Sequence, residues 1–186
     1  MKRVASVLAL TLLALAFTGR GAVPGLVSRA WAADDPLSIE ANLKYLEENK
    51  KKKGVIVRPS GLQFRILQNG YGKRPQSTDT VKVYYTGTLI NHVVFDGTSP
   101  GLPASLKLNS VIPGWIEALQ LMREGDHWRL VIPSNLGYGS RGAGKAIPPD
   151  QTLVFDMTLV STTPAPKRGE PGYVPDPNDP DDKPQR

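Results

Sequence analysis

The residue types that most often do covalent chemistry are scarce or badly placed in this chain. It has no cysteine. That excludes a disulfide, a thiolate zinc site, a thiol nucleophile and an iron–sulfur cluster. Its two histidines, His92 and His127, lie 35 positions apart without a ligand cluster beside either, so no metal is expected. Gly97-Thr98-Ser99-Pro100-Gly101 has the spacing of a serine-hydrolase elbow. That elbow needs an N–H on the residue after the serine, and Pro100 has none. Gly137-Tyr138-Gly139-Ser140-Arg141-Gly142 has the spacing of a dinucleotide loop. Such a loop must open a helix inside a βαβ unit. Here Ala143-Gly144-Lys145 and then Pro148-Pro149 follow, so no cofactor is expected.

The elements around these residues read as α+β. Leu62, Phe64 and Ile66 alternate with Gln63 and Arg65. Val81, Val83 and Tyr85 alternate with Lys82, Tyr84 and Thr86, and Trp128, Leu130 and Ile132 with His127, Arg129 and Val131. Leu153, Phe155, Met157 and Leu159 repeat the pattern. Period-two runs separated by Gly, Pro and Asn clusters predict an antiparallel sheet with a buried face. One helix interrupts them. Pro113 suits its first position, Glu117 its first turn, and Trp115, Leu119 and Met122 share one face ahead of Gly125. Ser38 to Lys53 predicts an N-terminal helix with Ser38 as N-cap, a thin Leu43/Leu46 stripe, and Lys50 to Lys53 at its C-terminal end.

The two ends differ from the middle. Lys2 and Arg3 precede an uncharged, largely apolar run from Val4 to Phe17, and Ala30-Trp31-Ala32 offers a small-x-small cleavage site. Fourteen helical residues rise about 21 Å, short of the ~30 Å hydrocarbon core. Residues 1–32 are therefore expected to be a cleavable export signal, leaving no stable membrane span. An uncleaved anchor is the competing reading. The chain's net charge is +6. Residues 1–32 hold Lys2, Arg3, Arg20 and Arg29 and no acid, so the remainder carries +2. That balance gives no case for a nucleic-acid partner. Residues 163–186 are rich in Pro and Asp, with Tyr173 and Val174 the only large hydrophobes. Such a segment buries too little to offset ordering and is expected to be a disordered tail.

Six segments come in a telling order: Val83-Tyr84-Tyr85-Thr86-Gly87, Val94-Phe95-Asp96, Val111-Ile112-Pro113-Gly114-Trp115, Leu136-Gly137-Tyr138-Gly139, Ile147-Pro148-Pro149 and Leu153-Val154-Phe155-Asp156. Taken singly, Tyr85, Trp115 and Phe155 read as core, and Asp96 before Gly97 as a turn residue. Jointly they resemble the FKBP-type peptidyl-prolyl cis–trans isomerases over roughly Val55 to Ser161. The stretch from Leu46-Glu47-Glu48-Asn49 to Pro59-Ser60-Gly61-Leu62-Gln63 resembles the exported bacterial branch, related to the macrophage infectivity potentiator proteins. The resemblance implies a curved antiparallel half-barrel around the helix begun by Pro113. Together with the two ends, this divides the chain into a signal (1–32), a short helical lead (33–54), the isomerase domain (55–162) and the tail (163–186). Only about 20 residues lie between Ala33 and Gly54, so a monomer is expected rather than a helically tethered dimer.

The resemblance also implies the chemistry and the site. An X-Pro bond rotates slowly because its amide is partly double-bonded, with a barrier near 20 kcal/mol. No bond breaks, so no strong base or nucleophile is needed. By resemblance Trp115 forms the pocket floor, and Tyr85, Phe95, Val111, Ile112 and Phe155 its walls. The Ile112 N–H and the Tyr138 hydroxyl would hold substrate carbonyls, Asp96 would orient polar groups at the mouth, and Ile147 would cap the site. The implied partners are X-Pro polypeptides folding outside the cytoplasm, in the periplasm or after secretion, and macrolide inhibitors. Departures are Leu106 where an aromatic is usual, Ala104 beside it, and no arginine from Gly97 to Pro103 to pair with Asp96. Trp128 lies outside the segments and reads as core. Two other classes compete: a proline-binding holdase with negligible turnover, and an interaction protein acting through its tail.

Overall fold

A computed structural model describes residues 35–173. The expected signal, residues 1–32, and the distal tail, residues 174–186, lie outside the described residues. The described elements are α1 (Ile39–Asn49), β1 (Ile56–Val57), β2 (Gln63–Gln68), β3 (Thr80–Thr88), β4 (Val94–Gly97), β5 (Ala104–Lys107), α2 (Pro113–Leu121), β6 (His127–Ile132) and β7 (Leu153–Thr163). The seven strands form one antiparallel sheet in the order β1-β2-β6-β7-β3-β4, with β5 also paired to β3.

Period-two patterning places one face of this sheet in the core. Val81 and Val83 of β3, Trp128, Leu130 and Ile132 of β6, and Phe155, Met157 and Leu159 of β7 are buried. The α2 face of Trp115, Ala118 and Leu119, with Met122 just beyond, joins the same cluster. Pro113 is the first helical residue, where its fixed φ and missing N–H suit the helix start. Gly114 is needed where α2 crosses β6, because a Cβ there would lie 2.5 Å from Ile132 Cγ2. Trp128 is core as expected and stacks on Phe64, with ring centroids 4.3 Å apart and an interplanar angle of 8°. Glu117 falls beyond the first turn of α2 and instead pairs with Arg58 at 3.3 Å.

The N-terminal helix departs from its sequence reading. Ser38 caps it, its Oγ accepting the Ala41 N–H at 3.1 Å. The helix ends at Asn49, so Lys51 to Lys53 follow it rather than forming its last turn. Leu43 is 57% exposed, and the buried residues are Asn42 and Asn49. Asn42 Oδ1 accepts the Thr152 N–H at 2.7 Å, and Asn42 Nδ2 donates to Gln151 Oε1 at 3.2 Å. Asn49 Nδ2 donates to Gln63 Oε1 at 2.9 Å, and Gln63 Nε2 donates to the Leu46 carbonyl at 3.0 Å. Buried amides need partners, and here two separated chain segments supply them to each other. Gln63 points away from the core between inward Leu62 and Phe64, so α1 docks on the opposite face of the sheet.

At the other end β7 runs to Thr163, one residue past the expected boundary. The Ala165 N–H then donates to Asp79 Oδ1 at 3.3 Å. Among the described residues, no helix is long and apolar enough to cross a membrane.

Candidate functional site

The strands and α2 converge on one cavity of about 380 Å³. Eight of the nine residues singled out from the sequence line it: Tyr85, Phe95, Asp96, Val111, Ile112, Trp115, Tyr138 and Phe155. Trp115, 5% exposed, lies in the first turn of α2 and is aimed by the helix start. Tyr85 meets it edge-on at 4.9 Å between centroids and 81° between planes. Phe155 meets the Trp115 ring at 5.1 Å and 81°, and Phe95 meets Phe155 at 5.6 Å and 90°. These edge-to-face contacts each add about 0.5–1.5 kcal/mol beyond area burial and hold the rings in fixed orientations.

Gly87 makes that ring set possible. It lies on β3 between β4 and β7, and a Cβ there would come within 2.7 Å of both the Phe95 and Phe155 rings. The β3–β4 register shifts between Gly87 and Thr88. Asp96 pairs with Gly87 and Val94 with Thr88, so Phe95 is the extra residue of a bulge that re-aims its side chain.

The polar groups of the cavity divide into two kinds. Tyr85 Oη donates to Asp96 Oδ2 at 2.6 Å, and Asp96 Oδ1 accepts the Gly97 N–H at 2.8 Å. Burial and, after it, the hydrogen bond to Asp96 push the Tyr85 phenol well above its ordinary range. It stays a neutral donor locked onto the carboxylate. Two other donors remain available. The Ile112 carbonyl accepts from Trp115 and Ile116, while its N–H finds no acceptor among the described residues. The Tyr138 side chain is 41% exposed at the rim, and its hydroxyl has no hydrogen-bond partner among the described residues. The cavity therefore offers an aromatic base, a hydrogen-bonded Tyr85–Asp96 pair and two unpartnered donors at its edge. It contains no activated nucleophile. That arrangement suits gripping a compact apolar ring while holding peptide carbonyls.

Ile147 is not part of this cavity. It is 5% exposed within the core, on a segment where the Ala143 N–H donates to the Ile147 carbonyl at 2.8 Å and the Ile147 N–H returns to Ala143 at 3.1 Å. This two-way bridge folds the loop back and turns Ile147 inward. Gly142 permits it, since a Cβ there would lie 2.3 Å from the Ile147 carbonyl oxygen. Conversely, Leu106 and Ser110 line the cavity. Leu106 stood out in the sequence only as a departure, and Ser110 had no signal beyond preceding Val111. The Ser110 hydroxyl donates to the Lys107 carbonyl at 2.8 Å, so this wall offers little to a polar ligand.

Comparison with known proteins agrees with this geometry. Residues 72–160 match the model of the FKBP-type peptidyl-prolyl cis-trans isomerase family, and residues 32–66 that of the domain amino terminal to it. The chain is 56% identical over 119 residues to the FKBP-type 22 kDa peptidyl-prolyl cis-trans isomerase of Escherichia coli, covering 63% of this chain and 58% of that protein. It is 49% identical over 118 residues to the outer membrane protein MIP of Legionella longbeachae, covering 63% and 51%. The chain thus spans about half the length of these curated relatives. Among solved structures, a peptidyl-prolyl cis-trans isomerase of Pseudomonas syringae is similar with a TM-score of 0.65 at 37% identity, covering 68% of this chain and 93% of that one. Escherichia coli FkpA is similar with a TM-score of 0.66 at 41% identity, covering 74% and 63%. An aromatic cavity of this composition on this sheet, with those matches, makes the chain a member of the FKBP-type peptidyl-prolyl cis-trans isomerase family.

Proposed function

We propose that this protein accelerates rotation about X-Pro bonds in exported polypeptides, without a covalent step. The observation that carries the reading is the cavity itself. Its rings pack edge to face, its one carboxylate is tied to Tyr85, and its two unpartnered donors sit at the helix start and the rim. In this reading the proline ring rests on Trp115 between Tyr85, Phe95, Val111, Ile112 and Phe155. The Ile112 N–H and the Tyr138 hydroxyl hold carbonyls on either side of the rotating bond. The planar amide is the more charge-separated resonance form, so an apolar site disfavours it relative to the twisted one. Each tenfold acceleration requires about 1.4 kcal/mol of such preference. Macrolides that mimic a prolyl ring would compete for the same cavity.

The test is NMR exchange on an X-Pro peptide with the purified chain, without a coupling protease. Acceleration that falls about tenfold or more in a folded Asp96→Ala variant supports the reading. Peptide binding without acceleration by the folded parent would make the protein a proline-binding holdase instead. Export is tested separately, by fusing residues 1–40 to a reporter active only outside the cytoplasm. Sedimentation of the purified chain tests the monomer.

A further inference from the structure

Tyr85 sits where the edge partner of β3 changes. Thr86 to Thr88 pair with β4, and Thr80 to Val83 pair with β5. Between those partners the chain leaves the ladder through a turn closed by the Ser99–Leu102 bridge. At this junction the Tyr85 N–H would lose its ladder acceptor, an unfavourable state for a half-buried donor. Thr98 fills the gap with its side chain. Its Oγ1 accepts the Tyr85 N–H at 3.1 Å and donates to the Tyr85 carbonyl at 3.3 Å. The Thr98 N–H donates to the same carbonyl at 3.0 Å.

Tyr85 is thus held at both ends by one short segment. Asp96 takes its phenol on the cavity side, and Thr98 takes its backbone two residues later. Thr98 itself does not touch the cavity. It lines a separate polar pocket of about 250 Å³ behind β3, together with Tyr84, Ser99 and Asp156. A β-branched side chain with few χ1 states suits a fixed bridge of this kind.

We propose that Thr98 is a positioning residue for the Tyr85–Asp96 pair, acting from the opposite face of the sheet. Its turnover readout rests on the isomerase reading. A displacement of order 1 Å in a positioned group is enough to cost up to about a hundredfold in rate. Loss of the hydroxyl bridge leaves the Tyr85 N–H without an acceptor and the Thr98 N–H as the remaining tie to the Tyr85 backbone on this edge.

The experiment compares Thr98→Val, which keeps the shape and removes both hydroxyl bonds, with Thr98→Ser, which keeps them, in the full chain. The expected result is a fall of about tenfold in kcat/KM for Thr98→Val, carried mainly by kcat, with Thr98→Ser within about twofold of the parent. The second readout is the Tyr85 hydroxyl proton by NMR. In Thr98→Val it should exchange faster and the phenol should titrate at lower pH, with Thr98→Ser unchanged. This readout needs no turnover, so an inactive parent would sink the isomerase reading while still testing Thr98. A Thr98→Val protein that melts lower but keeps both turnover per folded molecule and the Tyr85 hydroxyl signal would overturn the proposal.

Discussion

The two faces of this sheet are held to their neighbours by opposite chemistry. On the inner face, α2 and the cavity rings pack through apolar and edge-to-face contacts around Trp115 and Phe155. On the outer face, α1 docks through Asn42, Asn49, Gln63 and Gln151, with Leu43 left exposed. Away from the edge-to-face ring pairs, the inner contacts tolerate small shifts in partner, because dispersion and area burial are not directional. The outer contacts do not, because each buried amide has a fixed set of donors and acceptors to satisfy. The inner face therefore sets stability, and the outer face sets where the N-terminal helix sits.

Truncating the inner face should have the largest effect. Trp115→Ala removes a nearly fully buried indole that touches both Tyr85 and Phe155. The expected loss is about 3–5 kcal/mol, read as a drop in the urea midpoint. A loss below about 1 kcal/mol would mean that the ring stands on the core rather than within it. The outer face should respond differently. Asn42→Leu keeps the branched shape at a larger volume and takes their Asn42 partner from the Thr152 N–H and Gln151 Oε1. That should cost about 1–3 kcal/mol. Amide exchange should speed up across α1, and X-Pro turnover should hold. Turnover that falls in step with stability would couple α1 to the cavity and erase the contrast.

This contrast also explains what was legible in the sequence. The strands announced themselves because Val81/Val83, Leu130/Ile132 and Phe155/Met157 follow the pleat. Pro113 and Trp115 marked α2 because a helix start and an apolar face are local signals. The cavity residues became a set only through their order along the chain, since a ring on an alternating strand reads as core. Ile147 shows the limit of that logic. Its neighbours Pro148-Pro149 matched, but the reciprocal bridge to Ala143 turns it into the core. The docking of α1 was illegible for a physical reason. Asn42 and Thr152 are 110 positions apart, and an asparagine on a short helix looks solvated until its partner is known. Reading Leu43 and Leu46 as a thin apolar stripe followed from ordinary amphipathicity; Leu46 is half-buried, but Leu43 is exposed and the fully buried positions are the amides.

The smallest effect should come from a residue that borders the cavity in sequence but not in space. Asp156 follows Phe155 on β7 and points to the outer face. It binds His127 through Nε2, and it accepts from Arg129 Nη2 at 2.7 Å and Nε at 3.2 Å. Burial pulls the Asp156 carboxyl upward, but the hydrogen bonds from His127 and Arg129 outweigh it and hold the pKa below the ordinary value. The folded state therefore binds this proton less readily than the unfolded chain, where the aspartate pKa is about 3.9. The stability that Asp156 contributes is fully present above that value and is lost as pH falls through the lower folded pKa. Asp156→Asn should flatten this part of the acid limb of the stability curve. At neutral pH it should cost no more than about 1 kcal/mol, because the group is part-exposed and screened. X-Pro turnover should be unchanged, since Phe155 and Asp156 face opposite sides of the strand. An acid limb of parental slope in Asp156→Asn would mean that the His127–Asp156–Arg129 cluster adds nothing to folding. A loss of turnover at neutral pH would mean that the two faces of β7 are not independent.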